Sequence, residues 1–154
     1  MVLKKKINDD LLSALKQKES FKVDTFRFLL ASVQNREIEK RGKSGVPDLT
    51  DEEILEVLNR EAKKRKEAFQ IYEKAGRREL AEKELKELEI IKEYLPTELG
   101  ENEVRKIVIE AIQKIGAKSA EDFGKVMGEA MRQLKGRAES GTVSHIVKEL
   151  LAGQ

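Results

Sequence analysis

Apolar residues recur at helical spacing in every segment of this chain, and nowhere alternate as a half-buried strand demands. A sequence that keeps a period of about 3.6 residues throughout buries its apolar stripes by packing helix on helix. Leu3, Ile7, Leu11, Ala14 and Leu15 mark a first helix whose pattern fades near Ser20. The second, over 23–41, carries Phe26, Phe28, Leu29, Leu30 and Val33, a stripe wide enough for more than one neighbour. Breakers fill 42–47. Thr50 then caps a third helix over 51–75, and Glu53 completes a capping box. Gly76 ends it, and Leu80, Leu85, Leu88, Ile91 and Leu95 mark a fourth helix stopped by Pro96.

Tyr94-Leu95-Pro96-Thr97 is the expected domain boundary, dividing an N-terminal helical domain (1–96) from a C-terminal module (97–154). Beyond it the stripes are shorter and cleaner. Val104, Ile107, Val108, Ala111, Ile112 and Ile115 stop at Gly116. Ser119 with Asp122 is the next capping signal, ahead of Phe123, Val126, Met127, Ala130, Met131 and Leu134. Gly136 closes that helix; Glu139 or Ser140 opens the last, faced by Val143, Ile146, Val147, Leu150 and Leu151. The fold class expected is all-α: a four-helix N-terminal part followed by a compact three-helix C-terminal bundle.

Composition excludes several functions. With no Cys and one His, disulfides, zinc knuckles and thiol catalysis have no residues to use. The net charge of +2 does not announce a nucleic-acid binder, so any basic surface must come from sorting charges onto faces. No Trp and few aromatics leave no stacking platform for single strands. Lys4-Lys5-Lys6 is followed at once by Asn8-Asp9-Asp10 rather than an apolar signal core, and no run reaches membrane-span length. A soluble cytoplasmic protein without membrane contact, metal or cofactor is the simple expectation.

No constellation in the chain suits catalysis. Ser144 and His145 are adjacent on a helix and point about 100° apart, so they form no nucleophile–base pair. Glu82, Glu84, Glu87 and Glu89 alternate with lysines, as ion-paired solvated faces do. The basic run Lys63 to Lys66, with acidic neighbours, has the same bland explanation.

Two features of the C-terminal module are less ordinary. Gly124 and Gly128 lie four apart inside a predicted helix, where each glycine costs about 1 kcal/mol against alanine. Either a neighbouring helix packs closely there, or an RNA backbone or partner protein does. Lys125, Arg132, Lys135 and Arg137 oppose the single Glu129, beside a turn at Gly136 whose backbone N–H groups could also meet phosphate. Cations complementing the helix dipole explain the same residues equally well.

The order and spacing of several stretches resemble the GatB/YqeY family. These are Arg27-Phe28-Leu29-Leu30-Ala31-Ser32-Val33-Gln34-Asn35 with Glu37-Ile38-Glu39-Lys40-Arg41, Tyr72-Glu73-Lys74-Ala75-Gly76-Arg77 and Tyr94-Leu95-Pro96. Phe123-Gly124-Lys125-Val126-Met127-Gly128 and Lys135-Gly136-Arg137-Ala138 complete the set. The family includes small free-standing proteins and the C-terminal tail of the B subunit of glutamyl/aspartyl-tRNA amidotransferase. The resemblance implies two helical lobes and a link to tRNA-dependent amidation, hence to translation, with the tail module helping to hold tRNA. It makes Lys125, Lys135 and Arg137 the best candidates for RNA contact. A carbon–nitrogen ligase label would be inherited, because the kinase-like and amidase portions of that enzyme have no counterpart here. Where the family often has Ala-Asp-Gly, this chain has Ala138-Glu139-Ser140.

The resulting expectation is a non-catalytic accessory protein that presents Lys125, Arg132, Lys135, Gly136 and Arg137 to tRNA or another structured RNA, with Gly124 and Gly128 as close-approach positions. The alternative is a protein-interaction module docking its partner near Met127 and Met131. An amidotransferase acting alone ranks third.

Overall fold

The computed structural model describes residues 2–153, and a complete side-chain capping box opens one of its α-helices, the third. The regular elements are α1 (Val2–Lys16), α2 (Ser20–Ser44), α3 (Asp51–Lys74), α4 (Arg78–Lys92) and α5 (Glu101–Ile115). A 3-10 turn (Ala120–Asp122), α6 (Phe123–Leu134) and α7 (Ser140–Ala152) follow. The protein is all-α. At the start of α3 the Glu53 N–H donates to Thr50 Oγ1 at 3.2 Å, and the Thr50 N–H donates to Glu53 Oε2 at 2.8 Å. This reciprocal pair satisfies two donors that a bare helix start would leave unmet. Lys40 of α2 reaches the same carboxylate at 2.8 Å and holds it below the usual carboxylate range.

The chain divides into two units, one running through Leu95 and the other starting at Pro96. In the first, α1 pairs with α2 and α3 with α4. Ile7, Phe26, Leu29, Val33, Ile54, Leu58 and Ile91 are buried between them. The wide stripe of α2 does meet several neighbours, touching α1, α3 and α4. Tyr94 stands edge-on to Phe26, with ring centroids 6.1 Å apart, and its hydroxyl donates to Asp10. The second unit packs α5, α6 and α7 around Val108, Val126, Ala130, Leu134, Val143, Ile146 and Val147. Each large aliphatic side chain fully removed from water there contributes about 1.5–3 kcal/mol. Leu99 N–H donates to the Arg137 carbonyl at 2.8 Å, fastening the approach to α5 against the turn after α6.

Candidate nucleic-acid interface

The orientation of α6 is set by its apolar stripe. Val126, Ala130 and Leu134 have no exposed surface. At about 100° per residue, Gly124, Lys125, Gly128 and Arg132 then fall together on the opposite side, and all four are exposed. A Cβ built on Gly124 or Gly128 would meet nothing within 4 Å. Close helix packing therefore does not account for the glycine pair; both glycines look outward and leave a bare strip of helix surface between cations.

The approach to this helix differs from the simple cap that the sequence suggests. Ser119 Oγ accepts the Glu121 N–H at 3.3 Å and opens the 3-10 turn, while α6 itself starts at Phe123. Asp122 Oδ2 accepts the Lys118 N–H at 3.0 Å. That hydrogen bond first, then one from the Ser119 N–H, and last the positive charge of Lys125 hold the Asp122 carboxyl below its usual range. Lys125 is partly offset in this way, without a direct ion pair among the described residues.

The other cations fall into two groups. Glu129 receives Lys114 of α5 at 2.7 Å and Arg132 at 3.2 Å. The bond from Lys114 is the main reason its carboxyl sits below the usual range. One acid thus serves two cations, and Lys114 joins a cluster that no spacing along the chain announces, since it is contributed by another helix. Lys135 and Arg137 flank Gly136, whose φ of 78° lies in the left-handed region where a side chain would be strained. Both flanking side chains are exposed, and Arg137 has no ion pair among the described residues.

The turn is not the open set of N–H donors that the sequence suggests. The Lys135 N–H donates to the Met131 carbonyl at 3.0 Å, and those of Arg137 and Ala138 donate to Leu134 at 2.8 and 3.1 Å. The three amides around Gly136 are thus taken up within the turn, and phosphate contact falls to side chains instead. Ser140 is the first helical residue of α7 and not its cap, which is Glu139 without a side-chain cap bond. Met127 and Met131 are half-buried against the core, and His145 is exposed.

A family model described as Yqey-like protein matches residues 4–151. The chain belongs to the Yqey-like family. This is the family whose motifs the sequence carries, and its match spans both units. A relative from Pyrenophora tritici-repentis, named altered inheritance of mitochondria protein 41, mitochondrial, is 28% identical over 97% of this chain and 81% of its own length. An uncharacterized protein of Schizosaccharomyces pombe is 36% identical over 58% of this chain and 69% of its own. A second protein 41 of the same name, from Lachancea thermotolerans, is 33% identical over 58% of this chain and 46% of its own.

These names correct the expectation of a cytoplasmic protein. Two of the three relatives are named mitochondrial. The lack of an apolar signal core, on which that expectation rested, says nothing about a mitochondrial destination, because transit segments are amphipathic and need no such core. Among the described residues, no helix is long and apolar enough to cross a membrane.

Proposed function

We propose that this Yqey-like protein is a non-catalytic accessory factor that associates with tRNA or another structured RNA through its C-terminal unit. The observation that carries the proposal is the outward face of α6, where open glycines alternate with cations and the Lys135–Arg137 turn continues the positive surface. Phosphates reached by Lys125, Arg132, Lys135 and Arg137 supply affinity without reading bases. Four contacts of this kind give weak, salt-sensitive binding. The glycines let a sugar–phosphate strand lie against the helix backbone, closer than any side chain would allow.

The cations are not equal. Arg132 is shared with Glu129, whereas Arg137 has no competing acid, so Arg137→Ala costs more affinity than Arg132→Ala. Filter binding to unfractionated tRNA across a salt series tests this. Arg137→Ala should lower the salt slope by about 1, and Gly128→Ala should weaken binding while the fold gains stability. Binding that is absent at low salt, or indifferent to all three substitutions, removes the reading. An RNA-free protein partner recovered after nuclease treatment and lost on changing Met127 or Met131 would favour the docking alternative.

A further inference from the structure

We propose that the N-terminal unit holds a second binding site, a groove between α2 and the α3–α4 pair that takes an arginine side chain of a partner polypeptide. The groove has a volume of about 500 Å³ and is walled by Phe21, Asp24 and Phe28 from α2, Arg65 from α3, and Glu84 and Glu87 from α4. That volume lies in the range of ligand sites. The site is independent of the RNA face, which belongs to the other unit.

The charges on the wall define the occupant. Arg65 is nine-tenths buried; its guanidinium meets Glu61 at 2.5 Å and Glu87 at 3.2 Å. Lys64 also leans on Glu61, at 3.3 Å. Glu61 and Glu87 are therefore already spent on the protein's own cations. Asp24 and Glu84 remain, with no ion pair among the described residues, and both line the cavity. Burial, and then repulsion from Glu87, push the Glu84 carboxyl above its usual range even with Arg65 and Lys83 nearby. Lys64 and Lys83 line the groove as well. With Glu61 counted, the acids Asp24, Glu61, Glu84 and Glu87 stand against Lys64, Arg65 and Lys83, so the groove is short of one positive charge.

Its apolar walls suit a flat cation. Phe21 and Phe28 are 36% and 51% exposed, unusual for rings of this size on a helical surface. Phe28 already accepts a guanidinium, since Arg65 Cζ lies 4.6 Å from its ring centroid. A second guanidinium, stacked on the open aromatic surface and bidentate to Glu84, repeats the chemistry of the wall itself. Arginine fits better than lysine because its planar fork serves both contacts at once. Lys83 lines the same groove without an ion pair to Glu84, and its charge is the one an incoming arginine competes with there.

The full-length chain can be titrated by NMR with the pentapeptide acetyl-Gly-Arg-Gly-Arg-Gly-amide and with its glutamate counterpart. The arginine peptide should shift the Phe21 and Phe28 ring signals saturably, and the glutamate peptide should not. Glu84→Gln should weaken binding at least fivefold, Asp24→Asn should weaken it less, and Lys83→Gln should strengthen it. The amide spectrum of each variant verifies its fold, and Asp24→Asn carries the test if Glu84→Gln is misfolded. No saturable shift, tighter binding of the glutamate peptide, or indifference to Glu84→Gln and Asp24→Asn would each overturn the assignment.

Discussion

The two units stabilise themselves differently. The N-terminal unit buries Glu61 and Arg65 beside its apolar core and leaves Phe21, Phe28, Ile71, Leu80 and Leu85 exposed. Every buried side chain of the C-terminal unit is apolar, and Ile109 is its one large exposed hydrophobic among the described residues. The contrast teaches where each unit has surface to spare. The C-terminal unit closes its core and carries its charges outside it, whereas the N-terminal unit keeps a charged network and open apolar surface at the same place.

Removing one member of the buried network should produce the largest effect. Arg65→Met leaves the buried Glu61 only Lys64 and the Ser32 hydroxyl, and should destabilise the N-terminal unit toward the low end of the about 3–5 kcal/mol that breaking a buried pair costs. Glu61→Leu added to it should recover much of that. Both tyrosines, Tyr72 and Tyr94, lie before residue 96, so tyrosine fluorescence follows this unit alone while far-ultraviolet dichroism follows both. A loss seen equally by both probes would mean that the units unfold as one.

Next comes the apolar core of the second unit. Leu134→Ala should cost about 2–5 kcal/mol by emptying a fully buried position. The dichroism transition should split or shift while the tyrosine transition stays in place.

Gly128→Ala should have a smaller effect of opposite sign. With open space around the added methyl, helix propensity should raise stability by about 1 kcal/mol. Loss of stability in chemical denaturation would show that the glycine is held by packing after all.

The smallest effect is expected at Glu84. Its raised carboxyl pKa means the folded state binds a proton more readily than the unfolded chain, so ionisation at neutral pH opposes folding. Glu84→Gln should therefore raise the melting temperature slightly near pH 7. The gain should vanish as the pH falls below the ordinary glutamate range, where the wild-type group is protonated in both states.

Periodicity made the helices and their class legible, and the Thr50–Glu53 box was legible because capping depends on residues three apart. Arg65 was not. Its neighbours Lys63, Lys64 and Lys66 look like one solvated run, and only the approach of α2 and α4 hides one side chain of the four. The i, i+4 spacing of Glu61 and Arg65 was the available signal, shared with many exposed pairs. Gly124 and Gly128 lie off the stripe formed by Val126, Ala130 and Leu134, so their outward direction could be read from the helix wheel. Lys114 reaching Glu129 could not, because it depends on how α5 packs against α6. The bonds made by the Arg137 and Ala138 amides were hidden for a similar reason: the turn closes on Leu134, and no residue type announces that.

The most direct test of the RNA reading is the salt dependence of tRNA affinity for the wild type against a variant with Lys125, Arg132, Lys135 and Arg137 all changed to Ala. With each of four phosphate contacts contributing about 0.7–0.9 to the slope of log affinity against log salt, the wild type should show a slope of about −2.8 to −3.6, and the variant a slope near zero. Equal slopes, or equal affinities at low salt, would contradict the assignment of this face to a polyanion.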